Sequence, residues 1–378
     1  MRATLLLPTA LLTLVASSPL RAQEAAPRIL RINSEFGEPF SAMNGLIELT
    51  DGRLLVADRR EQAVRLVDLA KERLQDAARS GKGPLEYNSP GGFYRMRNGE
   101  IRMIDQTLRR YLVFSAQGRP LRTEPFAEVS SGVRMSNAGG DPHELDETGA
   151  EVVRPTMNMG REFARDSGWV IRRHGTSVDS LIRLRLPESV TNSAGGARVT
   201  AIKRFSPADG MATAADGRIA VVRAEPYRVE WWRAGQRLAQ GPIIPYDALK
   251  VTDADRAEAE KARAQVSMPG GIRVMQSDGN GGQKPLDVGS LVPPMQMAET
   301  KPAFDPTQLR VDTQGRVWVR RYTAPGADHV YDIFDGEGRR VDRVQLPQDS
   351  ALAGFGKGVV YVVRTDADEL LYLGRITY

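Results

Sequence analysis

The sequence predicts an all-β protein, a six-bladed β-propeller, from a repeated phrase, from the spacing of that phrase, and from two chain ends that complement each other. The phrase is a turn with glycine, then a short strand of Val, Ile and Leu, then in most copies a charged residue. Its glycines are 47, 50, 68, 98 and 43 residues apart. Three of these intervals match the ~40–50 residues of a four-stranded blade. The copies occupy residues 51–58, 98–105, 149–154, 216–223, 314–321 and 358–364.

Each copy of the phrase is typical of a β-hairpin. Asp51-Gly52 and Asn98-Gly99 favour a tight two-residue turn, which requires positive φ angles. The alternating β-branched residues that follow favour a pleated, half-buried surface. Further strands then complete a blade in most copies. Third strands are predicted at 112–114, 229–232 and 331–334, and fourth strands at 120–122 and 341–344.

The two ends of the chain supply complementary strands. The sixth copy is followed by a single strand, at 370–373, so the last blade lacks its outer strand. Residues 28–32 form a lone alternating strand before the first blade. We therefore predict that residues 28–32 pair with the last blade and close the ring, because closure removes free strand edges.

The two longer intervals predict insertions, and the larger one lies between blades 4 and 5, at about residues 245–304. Thr252 to Asp255 resembles a helix start, and an Ala-, Glu- and Arg-rich helix should continue to Val266. A glycine-rich loop at 277–282 lacks the strand and helix that flank a phosphate-binding loop. Long insertions often serve as binding loops. A mobile surface decoration is the alternative.

Blade 2 resembles the NHL-type repeat, which has glycine, spaced Tyr and Pro residues, a "dGxixVxD" phrase and an "RvxxF" strand. The matching residues are Gly83, Tyr87 and Pro90, then 98–105 and 111–114, and blade 1 matches over 51–58. Blades 3 to 6 keep the hairpin but end the phrase in arginine. The chain is similar to bacterial proteins described as six-bladed β-propellers with NHL-type or TolB-like repeats. This resemblance implies a fold and no particular activity.

The first 22 residues are typical of an export signal, because Arg2 precedes an apolar run from Leu5 to Val15 and Ala22 precedes the expected cleavage site. The mature propeller domain would then span residues 23–378, in the periplasm or outside the cell. The sequence has no cysteine, so we expect no disulfide, no thiolate metal site and no lipid anchor. The formal charge of +5 falls to +3 without Arg2 and Arg21, which weakly favours acidic partners.

The residues that close the repeated phrase are the candidate functional residues. Equivalent strand ends should lie on one face of the ring, around its axis. Arginines bind carboxylates and phosphates through two parallel hydrogen bonds, so an arginine-rich arc predicts an anion-binding mouth. The alternative is structural, because such residues also stabilise turns or pair with a neighbouring blade. The six residues are Asp58, Asp105, Arg154, Arg223, Arg321 and Arg364, and neighbouring loops add Arg59, Arg60, Arg109, Arg110 and Arg320.

Known catalytic signatures are missing from the sequence. His143, His174 and His329 fall in different blades, and no zinc-protease, nucleophile-elbow or EF-hand motif is present. We therefore expect an exported, non-catalytic monomer without a cofactor, which binds an anionic small molecule or an acidic protein segment. One alternative is a metal-dependent hydrolase of the lactonase or esterase type, with Asp58 and Asp105 among its ligands. Another is an interaction scaffold in the cell envelope.

Overall fold

Six four-stranded antiparallel units follow one another along the chain, and each contains one copy of the repeated phrase. The computed structural model describes residues 26–126, 143–155, 166–194, 197–266, 274–277, 283–286 and 294–378. The export signal expected at residues 1–22 and most of the glycine-rich loop at 277–282 lie outside the described residues.

The first half of the chain forms blades 1 to 3, and two short strands precede them. These are β1 (Arg28–Ile29) and β2 (Ser34–Glu35). Blade 1 contains β3 (Met43–Glu48), β4 (Leu54–Asp58), β5 (Ala63–Asp68) and β6 (Arg73–Asp76). A short parallel pair follows, β7 (Arg79–Ser80) and β8 (Glu86–Tyr87). Blade 2 contains β9 (Pro90–Arg95), β10 (Ile101–Asp105), β11 (Arg110–Phe114) and β12 (Pro120–Pro125). Blade 3 contains β13 (His143–Leu145), β14 (Glu151–Val153), β15 (Ser167–His174) and β16 (Ser177–Arg185).

The second half carries both predicted insertions. The hairpin of β17 (Ser189–Ala194) and β18 (Ala197–Ile202) precedes blade 4. Blade 4 contains β19 (Gly210–Thr213), β20 (Ile219–Arg223), β21 (Arg228–Arg233) and β22 (Gln236–Gln240). Helix α1 (Asp253–Val266), β23 (Val274–Ser277) and β24 (Gln283–Leu286) form the insertion before blade 5. Blade 5 contains β25 (Phe304–Val311), β26 (Val317–Arg321), β27 (His329–Phe334) and β28 (Arg340–Leu346). Blade 6 contains β29 (Ser350–Gly356), β30 (Val359–Thr365) and β31 (Leu371–Thr377).

In the Asp-Gly and Asn-Gly copies of the repeated phrase, the turns differ from the predicted two-residue type. In blade 1 the N–H of Leu49 donates to the carbonyl of Arg53, and the N–H of Gly52 donates to the carbonyl of Leu49. This pattern belongs to a three-residue loop in which only the last residue adopts a positive φ, +84° for Gly52. Asp51 therefore needs no left-handed backbone, and its carboxylate instead accepts a hydrogen bond from the N–H of Arg53 at 3.1 Å. The prediction of turns at these six places was right. The predicted two-residue type was wrong for the Asp-Gly and Asn-Gly copies, whereas the sixth copy has a two-residue turn, because Gly356 pairs with Val359.

The N-terminal segment closes the ring, but through other residues than predicted. Ser34 and Glu35 in β2 pair antiparallel with β31 and supply the fourth strand of blade 6. The predicted closing strand, residues 28–32, begins on blade 5 instead, where β1 runs parallel to β28. Leu30 explains this path, because its buried side chain fills the space between the outer parts of blades 5 and 6.

Six apolar clusters hold the blades together, one at each interface between neighbouring blades within the described residues. They join blades 1 and 2, 2 and 3, 3 and 4, 4 and 5, 5 and 6, and finally 6 and 1. Because the last cluster returns to the first blade, the sheets form a closed ring. The predicted all-β, six-bladed propeller is confirmed.

Strand alternation gives blade 5 two faces that pack against different neighbouring blades. Val319 on β26 and Phe334 on β27 pack towards blade 4. Trp318 and Tyr331, on the same strands, pack towards blade 6. Successive residues of a strand point to opposite faces of the sheet. The adjacent residues Arg320 and Arg321 therefore point into different grooves.

Candidate functional site

Asp58 and Asp105 end the second strands of blades 1 and 2, and both are fully buried. Asp58 accepts four backbone N–H hydrogen bonds at 2.7–3.1 Å, from Ser41, Ala42, Arg60 and Glu61. Asp105 accepts three at 2.8–3.2 Å, from Asn88, Ser89 and Leu108. Each carboxylate thereby fastens the loop that enters its blade to the end of the second strand.

Arg154 and Arg364 are each paired with a carboxylate. Arg154 forms an ion pair with Glu144 on the innermost strand of blade 3. Arg364 binds both carboxylate oxygens of Glu35, at 2.8 and 2.6 Å, and so fastens the closing strand β2 to blade 6. An external anion would have to displace these carboxylates to bind either guanidinium.

Arg223 and Arg321 are also held by protein groups. Arg223 donates to Glu230 at 2.9 Å and to Asp209 at 2.8 Å. Arg321 donates to the carbonyl oxygen of Ala303 at 2.6 Å and to Asp332 at 2.9 Å. The six predicted residues thus occupy equivalent strand ends and bind their own neighbourhoods rather than one another. Their role as ligand-binding groups stays a prediction.

Two carboxylates that the sequence analysis missed organise these arginines. Glu230 and Asp332 occupy equivalent positions in blades 4 and 5, on the third strands, and both are buried. An acidic residue inside an otherwise apolar strand, as in 229–232 and 331–334, is the signal that could have found them. Each lies within ion-pair distance of three arginines, Arg223, Arg228 and Arg237 for Glu230, and Arg321, Arg340 and Arg343 for Asp332.

Arg320 differs from these arginines. It is half-buried at the end of β26 and forms no ion pair with a described residue. Its side chain lies on the face of blade 5 that is turned towards blade 6. Three ring-bearing residues of blade 5, Tyr322, His329 and Tyr331, lie close enough that the charge of Arg320 lowers their pKa values. Burial raises the pKa of both tyrosines more strongly, so both phenols stay neutral at physiological pH.

The innermost strand of blade 5 is irregular beside Arg320. Pairing between β25 and β26 shifts register between Phe304 and Leu309. Within this bulge the carboxylate of Asp305 accepts hydrogen bonds from the N–H and the hydroxyl of Thr307, at 2.9 and 2.7 Å. Bulges interrupt a strand edge and change the direction of side chains, and they are common beside functional sites. This irregularity lies beside Arg320, and we use the name Arg320 crevice for the group formed by Asp305, Arg320, Tyr322, His329 and Tyr331.

His329 lies at the outer side of this crevice, at the start of β27. Its Nδ1 is 2.9 Å from the carbonyl oxygen of Ser350, which begins the inner strand of blade 6. Burial lowers the pKa of His329, and the nearby Arg320 lowers it further. Because a carbonyl oxygen only accepts hydrogen bonds, Nδ1 carries a proton and Nε2 of the neutral ring does not.

The insertion is docked beside the same crevice. Lys301 and Asp255 form a buried ion pair of 2.5 Å, and Lys301 also donates to the carbonyl oxygen of Thr323 at 2.7 Å. Thr252 caps helix α1, and its N–H donates a hydrogen bond of 2.9 Å to the carboxylate of Asp255. The start of α1 is thereby fixed to the loop that follows Arg320, and the role of the insertion stays a prediction.

A metal-binding cluster is not seen among the described residues, where no three His, Cys, Asp or Glu side chains are grouped suitably. His174 is exposed on blade 3, and the side chain of His143 is outside the described part of the chain. Within the described ranges, no helix is long and apolar enough to cross a membrane.

The closed ring of four-stranded sheets makes this chain a six-bladed β-propeller. No protein-family model and no curated protein matches the sequence. Solved structures with the same architecture include an inactive virginiamycin B lyase from Staphylococcus aureus, with 9% identity, coverage of 91% of this chain and 97% of that chain, and a TM-score of 0.39.

Two further solved structures are similar over their lengths. Regucalcin from Agrobacterium tumefaciens has 12% identity, and the match covers 93% of this chain and 97% of that chain with a TM-score of 0.34. A PQQ-bound aldose sugar dehydrogenase from Streptomyces coelicolor has 13% identity, and the match covers 93% of this chain and 100% of that chain with a TM-score of 0.35. Identities and TM-scores this low carry no information about ligand or reaction.

Proposed function

We propose that this propeller is an exported binding protein and that the Arg320 crevice accepts an anionic ligand bearing carboxylate or phosphate groups. One observation carries the proposal. The phrase-ending arginines of blades 3 to 6 are all neutralised by carboxylates, whereas half-buried Arg320 has no such partner among the described residues. A partly desolvated cation without a counter-ion gains most from an external anion.

The surroundings of Arg320 suit a small ligand with a fixed orientation. A guanidinium presents parallel N–H donors that match a carboxylate or phosphate. Tyr322 and Tyr331 remain neutral and therefore add no negative charge beside Arg320, and the carboxylate of Asp305 is the acidic group near both phenols. Arg310 follows the bulge on β25 and lies exposed, where it adds positive charge near the crevice.

Isothermal titration calorimetry with citrate and with a hexaglutamate peptide tests the proposal and separates a small ligand from an acidic protein segment. Arg320→Ala should weaken binding of the preferred ligand at least about tenfold, and added salt should weaken wild-type binding. Arg233→Ala is the matched control, because it removes the same charge from an exposed side chain at the opposite end of blade 4. Equal losses in the two variants would contradict a site at Arg320.

Metal analysis supplies a second arm of the experiment. Calcium or zinc bound stoichiometrically to the purified protein, and lost in the Asp58→Asn and Asp105→Asn variants, would support the metal-dependent hydrolase and contradict the binding protein. We expect both variants to be destabilised, because each carboxylate accepts several backbone hydrogen bonds.

A further inference from the structure

The Nδ1 atom of the His329 imidazole forms a hydrogen bond, whereas Nε2 can still accept a proton. Nδ1 is occupied by the carbonyl oxygen of Ser350 at 2.9 Å in either protonation state. Any proton that the ring gains therefore goes to Nε2. Protonation converts that atom from a hydrogen-bond acceptor into a charged donor, within the crevice that already holds Arg320.

The charged groups that face this ring come from three elements. Arg320 lies on the neighbouring strand β26, Asp328 directly precedes the ring, and Asp349 lies in the loop that enters blade 6. Asp328 accepts hydrogen bonds from Gln345 at 2.7 Å and from the N–H of Gln348 at 3.2 Å. Burial and Arg320 outweigh the two carboxylates, so the pKa of His329 is lower than usual.

We propose that His329 is a second, proton-controlled cation of the Arg320 crevice, which makes the site selective for dianions under mildly acidic conditions. This inference rests on the proposed anion site at Arg320. At neutral pH the guanidinium of Arg320 shares the crevice with the carboxylate of Asp305, which accepts two hydrogen bonds from Thr307, and exposed Arg310 lies nearby. Protonation of His329 adds one further positive charge, which favours a dianion such as sulfate or a fully ionised phosphate monoester over a monoanion.

Thermodynamic linkage gives the direction of the effect. A bound dianion stabilises the charged imidazole and raises its pKa. Affinity then rises as the pH falls through the pKa of His329 in the free protein, which lies below 6.5. The total gain is about tenfold for each unit by which the bound anion raises the pKa.

Sulfate is the suitable probe, because its charge does not change between a pH of about 5 and about 8, whereas methanesulfonate remains a monoanion. Calorimetry on the full chain should show that sulfate binds more tightly at the lower pH, with a smaller change for methanesulfonate. The His329→Asn variant should bind sulfate with the same affinity at both pH values, since an amide can still donate to Ser350 but cannot titrate. His174→Asn, at an exposed histidine of blade 3, should keep the wild-type pH dependence.

Proton NMR supplies a readout that a purely structural role would not change. The His329 resonance, assigned by its loss in His329→Asn, should titrate at a higher pH when sulfate is present. A preserved pH dependence of sulfate binding in His329→Asn would overturn the role of His329, while loss of binding in Arg320→Ala would still support the anion site. No binding of sulfate at either pH, or equal binding in Arg320→Ala, would contradict both proposals.

Discussion

At the scale of single residues, the identity of a partner decides what an arginine does. Arg320 and Arg321 are adjacent, yet strand alternation sends them to different grooves. Arg321 meets the buried carboxylate of Asp332, while Arg320 meets tyrosine and histidine rings. The sequence predicted an arginine-rich arc, but it could not tell neutralised arginines from an available one, because the partners Glu230, Asp332 and Glu35 are distant in sequence or hidden in strands.

The buried carboxylate of Asp332 should be essential for stability. Asp332→Asn removes a fully buried carboxylate that lies within ion-pair distance of Arg321, Arg340 and Arg343, and breaking a buried ion pair costs about 3–5 kcal/mol. Urea denaturation measures this loss. The control Asp216→Asn, at an exposed turn, should change stability by less than about 0.5 kcal/mol. Similar small effects for both variants would contradict the structural role of Asp332.

Glu144 should make stability depend on pH in the acid range. Burial alone would raise the pKa of Glu144, but Arg154 and the N–H of Thr213 together hold it below the usual 4.5. A carboxylate with a depressed pKa contributes stability above its unfolded pKa, and this is lost as the pH falls through the folded value. Glu144→Gln should therefore be less stable than wild type at neutral pH, and the difference should shrink below a pH of about 4. A constant difference in urea denaturation would contradict this assignment.

At the scale of elements, the closing strand depends more on its apolar residue than on its ion pair. Glu35 forms a partly exposed pair with Arg364, and such pairs contribute about 1 kcal/mol or less. Phe36, the next residue, is buried between blades 6 and 1. Truncation of a buried Phe to Ala costs about 3–5 kcal/mol. In thermal unfolding, Phe36→Ala should therefore lower the melting temperature much more than Glu35→Ala. The reverse order would contradict this account of ring closure.

The difference between predicted and observed closing strands has a physical cause. Alternation in residues 28–32 indicates a strand, but it does not identify the sheet edge with which the strand pairs. Two edges are available, on β28 and β31, and Leu30 fits between their blades. A short polar strand, Ser34–Glu35, therefore carries the final pairing without a recognisable sequence pattern of its own.

At the scale of the whole molecule, six similar interfaces form one ring, and the repeated phrase was sufficient to predict their number. The Arg320 crevice was not predictable in the same way. It needs the bulge in β25, the inner end of blade 6 and the docked insertion at one place, although these segments are separated along the chain. Repetition therefore predicted the scaffold, whereas the candidate site arises where blade 5 departs from the repeat.

A crystal structure of the protein with bound selenate, located by its anomalous signal, tests the central claim most directly. Selenate has the charge and shape of sulfate. The account predicts an anomalous peak within hydrogen-bond distance of the Arg320 guanidinium, with closer approach to His329 at acidic pH. A peak at Arg154, Arg223, Arg321 or Arg364 instead, or none at Arg320, would contradict the account.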